Sequence, residues 1–581
     1  MSRKNIYALL GSFVLIGAFA AGGYWLNLPP RLPSVTIGRE LTHDGLVKTN
    51  LASDGSNLYF TEISGSRSVI AKVPTAGGEI SPYSLAFANA QLLDVSPTRA
   101  SLLAAEETTG SSAGHPVWLS PLSPAHGEDA KRFGDITAQE AVWSPDGQSV
   151  LTVSGSSLFV SPADGGAAKK LVTVPGSPYY PRYSPDGQRI RFSVGDVAQS
   201  TSTIWEMRND GSDLHQILAD WHDVTTKCCG SWTADGRYYL FQATSRELGS
   251  TANLWAIAER GDILHKTKVD RPVELTRGAV SFGKPVPSAD NRKIWSLGLK
   301  LRGTVVQYDA KSKQFVPFLS GLSATDLDFS PDGQWIAYIS VPDGALWRCR
   351  TDGSQSKRLT SNGARAALPR WSRDSKQIAY VNIQTGKPWT IFLIPAIGGT
   401  PQALLAEDKS EVDINWSLAG DQIIFGRITE RKAEGLSIEV YDLKTHTLSS
   451  IPGSEGLFSP RLSPDGHYIA ALSANLTKLM LYDTQTKKWS EWQTVASGAL
   501  NYPAWSEDSK SIYFDDLVSG EGSYCRANVG ENHYDRVLEL GGLERYLGVL
   551  GLWSGRTPDG SPLFVKDAST GEVFELEASL P

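Results

Sequence analysis

The sequence predicts an all-β protein: tandem β-propellers with about twelve four-stranded blades, preceded by one N-terminal transmembrane helix. Three observations support this fold class. A short aromatic-Ser-Pro-Asp-Gly motif recurs along the chain, and the 55 Gly and 32 Pro residues indicate many tight turns. The 17 Trp and 20 Tyr residues favour strands. Finally, the first thirty residues contain a long stretch without charge.

The repeated motif gives the number and size of the blades. The clearest copies are Trp143–Gly147, Tyr183–Gly187, Phe329–Gly333 and Leu462–Gly466. Successive motif aspartates lie roughly 40 to 55 residues apart, close to the ~40–50 residues of a propeller blade. Looser copies begin at Trp232, Trp371, Trp416 and Trp505, and degenerate ones lie at Ala52–Gly55, Val95–Pro97, Pro287–Asp290 and Thr557–Gly560.

Each motif predicts a tight turn between two strands. Proline fixes φ at the first central position, the aspartate side chain accepts hydrogen bonds from turn amides, and glycine adopts the left-handed conformation. This structural role explains why these residues recur, so we predict turn-forming rather than catalytic residues. They are Asp146, Gly147, Asp186, Gly187, Asp235, Gly236, Asp332, Gly333, Asp465 and Gly466.

A dozen blades exceed the four to eight of one ring, so two rings of six are expected. We assign residues 35–305 to the first propeller and 306–581 to the second. The last repeat, which ends with Glu572–Leu576, lacks an outer strand, and the strand 35–41 precedes the first repeat. We therefore predict that 35–41 completes the last blade, because an unpaired blade edge exposes backbone amides.

The N-terminus predicts a membrane anchor. Ile6–Leu28 is uncharged over about 23 residues, enough for a helix to cross the ~30 Å hydrocarbon core. Residues 1–5, with Arg3 and Lys4, form a cytoplasmic tail, and 29–34 form a Pro-rich linker to an exported body. A signal peptide cleaved after Ala20 is the alternative, because Ala18-Phe19-Ala20 fits a small-residue cleavage site.

The four cysteines and nine histidines give no metal-binding pattern. Adjacent Cys228 and Cys229 form either a vicinal disulfide or a packed pair of thiols. The segment Gly110–Gly114 matches the GxSxG pattern, but it lies in a Ser/Thr-rich loop without a hydrolase sheet. We expect no catalytic, cofactor-binding or metal-binding residue and no enzymatic activity. The net charge of −7 argues against nucleic-acid binding.

The repeats resemble the TolB-like PD-type repeat, which is related to the WD40 repeat. They are most similar to the exported sensor half of bacterial CadC-like transmembrane winged-helix regulators. This resemblance extends from about Glu40 to the C-terminus and implies a propeller on the periplasmic side of a bacterial inner membrane. Only five residues precede Ile6, so the winged-helix domain and its DNA-binding activity are not carried over. Its most specific stretches are Leu41–Gly45, Leu58–Phe60, Cys228–Thr233, Leu346–Trp347, Pro452–Gly456 and Phe458–Pro460.

The expected function is a membrane-anchored module that binds or senses a protein or envelope ligand on a propeller face, without a cofactor. Two alternatives stay open. One is a soluble periplasmic TolB-like component of an envelope assembly, which cleavage after Ala20 favours. The other is an enzyme that acts in a propeller channel. A structure in which His, Glu and Arg side chains converge in a channel would favour it.

Overall fold

The computed structural model describes residues 32–581 except for short segments, and the described part is all β. It contains no helix, and therefore none long and apolar enough to cross a membrane. The predicted anchor Ile6–Leu28 lies outside the described residues. The excepted segments are 65–66, 107–113, 124–129, 197–200, 246–250, 260–270, 362–363, 385–386, 406–408, 429–434, 496–498 and 518–521.

Fifty strands occur in the described residues. Those of the N-terminal half are β1 (Ser34–Glu40), β2 (Val47–Ser53), β3 (Asn57–Ser64), β4 (Arg67–Pro74), β5 (Ser81–Tyr83), β6 (Ala90–Val95), β7 (Ser101–Glu106), β8 (His115–Pro121), β9 (Lys131–Ala138), β10 (Glu140–Trp143), β11 (Ser149–Ser154), β12 (Ser157–Pro162), β13 (Lys169–Thr173), β14 (Ser177–Tyr183), β15 (Arg189–Asp196), β16 (Thr201–Arg208), β17 (His215–Ile217), β18 (Val224–Trp232), β19 (Tyr238–Ser245), β20 (Ala252–Ala258), β21 (Val273–Glu274), β22 (Ser281–Pro287) and β23 (Lys293–Lys300). Those of the C-terminal half are β24 (Gly303–Asp309), β25 (Gln314–Pro317), β26 (Ala324–Phe329), β27 (Trp335–Ser340), β28 (Leu346–Arg350), β29 (Lys357–Arg358), β30 (Arg365–Trp371), β31 (Gln377–Ile383), β32 (Thr390–Pro395), β33 (Gln402–Ala403), β34 (Ser410–Trp416), β35 (Gln422–Ile428), β36 (Ser437–Asp442), β37 (Thr447–Ser450), β38 (Leu457–Leu462), β39 (Tyr468–Ser473), β40 (Lys478–Asp483), β41 (Lys488–Thr494), β42 (Leu500–Trp505), β43 (Ser511–Asp516), β44 (Ser523–Asn528), β45 (Tyr534–Glu539), β46 (Leu547–Gly548), β47 (Gly551–Leu552), β48 (Ser554–Arg556), β49 (Pro562–Asp567) and β50 (Thr570–Ser579).

These strands form four-stranded antiparallel sheets of the kind that makes a propeller blade. Ten sheets have four strands, and β14–β21 form two further sets of four joined by one parallel bridge between Ser202 and Thr226. A separate two-stranded hairpin consists of β46 and β47. The predictions of an all-β fold and of four-stranded repeats are therefore confirmed.

The chain divides into two compact units, one inserted into the other. The described residues of the first unit lie within 32–245, 252–299 and 571–581, and those of the second are Thr251 and residues within 300–570. Six sets of four strands fall in each unit. The assignment of all residues after 306 to one second domain therefore differs from the structure, because β50 pairs with β1 and β23 of the first unit.

Within each unit the innermost strands contact one another in a cycle. In the first unit the order is β2, β6, β10, β14, β18 and β22, and β22 contacts β2 again. In the second unit the order is β26, β30, β34, β38, β42 and β48, and β48 contacts β26 again. Side chains at the inner ends of these strands consequently gather at the centre of each unit.

Both ends of the chain meet in one sheet. Strand β1 pairs antiparallel with β50 from Ser34 opposite Ser579 to Glu40 opposite Phe574. The predicted pairing of 35–41 with the C-terminal strand is confirmed, although the sheet lies in the first unit. The last sheet of the second unit is closed in a comparable way, since β49 pairs with β24 in a sheet of order β25-β24-β49-β48.

The hydrophobic core lies between neighbouring sheets rather than in one central mass. Leu58 and Phe60 of β3, for example, pack with Trp295 of β23 and Val573 of β50, all buried. A second cluster joins Leu151 of β11 to the sheet that follows. Such packing requires apolar side chains on both faces of the middle strands, because each sheet is covered by a neighbouring sheet on either side.

Candidate functional site

The predicted turn aspartates lie at the turns that connect the first two strands of a sheet. The Ser144 hydroxyl donates to Asp146 Oδ1 over 2.6 Å, and the Gln148 amide donates to the same oxygen over 3.0 Å. The hydrogen bond from Ser144 lowers the pKa of Asp146 because it stabilises the ionised carboxylate. The same hydroxyl-to-carboxylate bond spans 2.5–2.6 Å at Asp186, Asp235, Asp332 and Asp465.

The turn glycines have the left-handed conformation that the motif requires. Their φ angles lie between 66° and 73° at Gly147, Gly187, Gly236, Gly333 and Gly466. The hydroxyl groups that donate to the aspartate side chains belong to the same turns, whereas the Asp332 and Asp465 amides donate to Ser375 and Ser509 of the next motif over 3.3 and 3.0 Å. The turn residues shape the ends of the strands, and Asp146, Asp186 and Gly187 of two successive turns line one shared open pocket.

Cys228 and Cys229 combine both roles that the sequence left open. The structure joins them by a vicinal disulfide, and both pack with buried Tyr180. The Cys229 amide donates to Ser193 Oγ over 3.1 Å, and Cys229 has a positive φ of 59°. The pair therefore lies on innermost strand β18 and faces the neighbouring strand β14.

Nine of the twelve innermost strands share a feature that sequence reasoning missed: a β-bulge that contains a non-glycine residue with positive φ. Bulges redirect a side chain, and left-handed non-glycine residues are found preferentially at functional sites. Most of the residues concerned lie four positions before the Ser or Thr of a turn motif, and this fixed spacing is the signal that could have found them. They are Asn50, Tyr180, Cys229, Lys284, Asp326, Leu368, Asp413, Ser459 and Tyr502.

In the first unit, three of these residues and three further polar residues lie on five innermost strands and come together at the centre. Lys284 Nζ donates to Asn50 Oδ1 over 2.6 Å and lies 5.7 Å from the centroid of the Tyr180 ring. The Arg182 guanidinium lies 4.0 Å from the centroid of the same ring. Strands β22 and β14 are not neighbours in the cycle, so Lys284 and Tyr180 meet across the centre. We call this set the first-unit cluster: Asn50, Asp94, Glu140, Tyr180, Arg182 and Lys284.

The two carboxylates of the first-unit cluster accept backbone hydrogen bonds. The Trp143 amide donates to Asp94 Oδ2 over 2.9 Å, and the Tyr180 amide donates to Glu140. Burial raises the pKa of Asp94 and of Glu140, although Arg182 opposes the rise at both. Burial also lowers the pKa of Lys284, so this centre disfavours charge on all three groups.

The centre of the second unit contains direct ion pairs instead. Arg461 Nη2 lies 2.8 Å from Asp413 Oδ1, and Arg370 Nη1 lies 4.0 Å from Asp328 Oδ1. Burial raises the pKa of Asp326 to about 6. A cavity of about 110 Å³ lies beside this group and is lined by Asp413, Arg461, Tyr502, Trp389 and Leu550 among others.

The hairpin of β46 and β47 lies against the same cavity. The Tyr502 hydroxyl donates to the Leu550 carbonyl oxygen over 3.2 Å. Arg545 holds the base of the hairpin, since its Nη2 donates to the carbonyl oxygens of Leu552 and Trp553 over 2.8 and 2.9 Å. Asp515 Oδ2 lies 2.8 Å from the same nitrogen. The hairpin is thus fixed at one side of the second-unit centre.

Other candidate chemistry does not assemble in the structure. Ser112 of the GxSxG pattern lies outside the described residues, and His115 is part of β8. Within the described residues, no group of three or more His, Cys, Asp or Glu side chains could hold a metal ion.

Fold and site together define a repeat-built protein of propeller blades with polar groups gathered at the centre of each unit. More particularly, a TolB-like PD40 β-propeller domain is present: the family model described as "TolB beta propeller domain" matches residues 304–507. The predicted TolB-like resemblance is therefore confirmed. That match extends from β24 into the turn after β42, within the second unit.

Two curated relatives match at low identity. A TolB homolog of Chlorobium chlorochromatii is 27% identical over 222 residues, which is 35% of this chain and 41% of the relative. The uncharacterized peptidase YuxL of Bacillus subtilis is 26% identical over 184 residues, 29% of this chain and 25% of the relative. The chain thus spans less than half the length of either relative.

Among solved structures, a TolB from Agrobacterium tumefaciens matches with 17% identity and a TM-score of 0.37. The match covers 46% of this chain and 98% of that one. Tricorn protease matches with 13% identity and a TM-score of 0.31, over 84% of this chain and 48% of that one.

The expectation that the chain has no enzymatic activity is wrong as a conclusion from the sequence. The comparisons include enzymes, above all the peptidase YuxL. The expectation rested on the absence of a hydrolase sheet around the GxSxG segment and of a metal-binding pattern in the sequence. Propeller repeats, however, also occur in enzymes, so their presence does not exclude catalysis.

Proposed function

We propose that the protein is a membrane-tethered periplasmic module in which two six-bladed propellers bind a protein partner. The cyclic contacts of the innermost strands in each unit support the two rings. The uncharged segment Ile6–Leu28 with Arg3 and Lys4 before it supports the anchor and its orientation. The resemblance to the sensor half of CadC-like regulators supports a signalling role for the bound partner.

The hairpin of the second unit is the observation that carries partner binding. Leu547 of β46 and Val549 of the connecting turn are 70% and 52% exposed, although they are large and apolar. Its base is fixed by the ion pair of Arg545 and Asp515, whose side chains are 5% and 0% exposed. A rigid apolar tip binds without a large ordering cost, and exposed apolar groups of this kind mark protein interfaces.

Site-specific photo-crosslinking in cells tests this surface. A photoreactive residue replaces Val549 in one variant and Ile397 in another, because Ile397 is a 71% exposed apolar residue of the same unit. We expect a discrete crosslinked protein from position 549 that is weak or missing from position 397. Unlabelled protein should compete with the photoreactive protein for the partner and weaken the crosslink. Unlabelled protein that carries both Leu547→Ser and Val549→Ser should compete less well. Equal crosslinking at 549 and 397 contradicts the proposed surface.

A reporter fusion tests the topology separately. Alkaline phosphatase fused after Pro581 should be active and remain with the membrane fraction. An inactive fusion contradicts export of the body. Release of an active, soluble form that begins at Ala21 contradicts the membrane anchor and indicates a soluble envelope component instead.

A further inference from the structure

The two cations of the first-unit cluster lack a carboxylate at contact distance. Within the described residues, neither Arg182 nor Lys284 has a carboxylate oxygen within 4.0 Å. Arg182 Nη1 donates to the Pro181 carbonyl oxygen over 2.7 Å, and Lys284 donates to Asn50. A guanidinium has five donor hydrogens and an ammonium three, so most of their donor capacity is unused.

The second unit shows that this is a difference between the two centres and not a property of the repeat. Arg370 and Arg461 occupy the same position of the repeat as Arg182, directly before the aromatic or apolar residue of a turn motif and two residues before its Ser. Each of those two arginines has an aspartate within 4.0 Å. Backbone amides donate to carboxylates in both units, as Trp143 does to Asp94 and Trp371 does to Asp328. The difference is the ion pair, which Asp328 forms with Arg370 and which Asp94 does not form within the described residues.

Solvent reaches the groups of the first-unit centre. Arg182, Lys284, Asp94 and Glu140 are all partly exposed, although they lie among buried residues such as Tyr180. A partly desolvated cation without a contact counter-charge gains more from an incoming anion than an exposed one does. The ring of Tyr180 and the disulfide of Cys228 and Cys229 provide an apolar wall beside it.

We propose that the centre of the first unit binds a carboxylate-bearing ligand, with the carboxylate between Arg182 and Lys284. Any negative charge on Asp94 and Glu140 opposes further negative charge at this centre, so a singly charged carboxylate fits it better than a phosphate dianion does. The Glu140 carboxylate also accepts hydrogen bonds from N–H groups of the ligand. A short peptide with a free C-terminal carboxylate fits these groups. This site lies in the first unit and does not depend on the partner surface proposed for the second.

Two matched peptide pools test the site on the full chain in detergent. One pool contains N-acetylated tripeptides with a free C-terminal carboxylate, and the other contains the same tripeptides as C-terminal amides. Ligand-observed NMR with titration measures binding. We expect the carboxylate pool to bind about tenfold or more tightly than the amide pool, as charged hydrogen bonds imply. No binding of the carboxylate pool, or equal binding of both pools, overturns the proposal.

Substitutions assign the binding to this centre. Arg182→Gln and Lys284→Gln should each weaken binding of the carboxylate pool about tenfold or more, and Arg182→Lys should retain part of it. Arg370→Gln is the matched control in the second unit and should leave binding unchanged. Thermal unfolding checks that each variant is folded, and Lys284→Gln carries the test if Arg182→Gln unfolds. Binding that Lys284→Gln leaves intact, or that Arg370→Gln removes equally, overturns the site.

Discussion

At the scale of single residues, the turn glycines test the repeat most directly. Gly333 has a φ of 69°, and a Cβ built there meets nothing within 4 Å. A Cβ at this position therefore clashes with no neighbouring residue, and a substitution is disfavoured only by the left-handed backbone conformation. Gly333→Val should lower the free energy of unfolding by about 1–2 kcal/mol, since a β-branched residue is strained in this region.

Urea unfolding of the purified protein measures this change. Gly542→Val is the matched control, because Gly542 also has open space for a Cβ but lies outside the left-handed region. The control should change stability by less than Gly333→Val does. Equal effects at both positions contradict the role of the backbone conformation at Gly333.

A second residue-scale prediction concerns the buried polar group that joins the two chain ends. The Lys48 ammonium contacts Asp44 and lies 3.3 Å from Glu572 and 3.9 Å from Glu62. Burial, followed by a hydrogen bond with Asp44, raises the pKa of Glu62 to about 7. Thr42 adds a hydroxyl hydrogen bond of 2.5 Å to Glu572.

The pKa of Glu62 gives a signed pH dependence. The folded state favours protonated Glu62, whereas the unfolded chain ionises near the ordinary value of 4.5. Wild-type stability therefore carries a penalty that grows as the pH rises from 4.5 to 7 and stays above it. Glu62→Gln should raise the Tm relative to wild type at pH 8, and the gain should vanish near pH 4.5. Glu577→Gln, an exposed glutamate of β50, serves as the control. A gain that is the same at both pH values contradicts this titration.

At the scale of elements, β1 completes the sheet that contains the C-terminal strand. Deleting residues 34–42 removes all pairing partners on one edge of β50 and the Thr42 hydroxyl that accepts from the Val573 amide over 2.9 Å. Backbone amides of β50 should then exchange hydrogen much faster, and β22 and β23 of the same sheet should follow. Hydrogen-exchange mass spectrometry measures this.

The second unit provides the internal control for that deletion. Peptides from β30–β33 belong to a separate sheet of the other unit and should keep their exchange rates. Equal loosening of both units contradicts closure of the first unit alone. An unchanged β50 contradicts the pairing itself.

At the scale of the whole molecule, the cysteines report the compartment in which the chain folds. Cys228 and Cys229 are joined, and Cys349 and Cys525 are free and buried. Burial raises the pKa of the Cys349 thiol to about 11 and that of Cys525 to about 12, so both are unreactive in the folded state.

Thiol titration of protein isolated from the periplasmic side tests this pairing. In denaturant without reductant, the two free cysteines should react, and all four should react after reduction. Protein retained in the cytoplasm by removal of residues 1–31 is the comparison and should show four thiols from the start. Four reactive thiols in the exported protein contradict the vicinal disulfide.

The sequence by itself determined the repeat, the strand-turn-strand unit and the pairing of the two chain ends. These follow from local physics: the turn motif requires its Pro, Asp and Gly residues wherever it occurs, and an incomplete last blade requires a strand from elsewhere. The sequence also showed the resemblance to TolB-like repeats.

Only the tertiary structure decided which unit the chain ends close, and which side chains meet at each centre. The segment 571–581 lies next to the second unit in sequence but pairs with β23 of the first, since strand pairing depends on spatial neighbours. Tyr180 and Lys284 are far apart in sequence and meet only because bulged strands turn both side chains toward one centre. The turn aspartates recur in the sequence because local geometry needs them. The central groups recur only in part: arginine returns at 182, 370 and 461, whereas Lys284 and Tyr180 occupy a position that other blades fill with Asp326, Leu368 or Ser459.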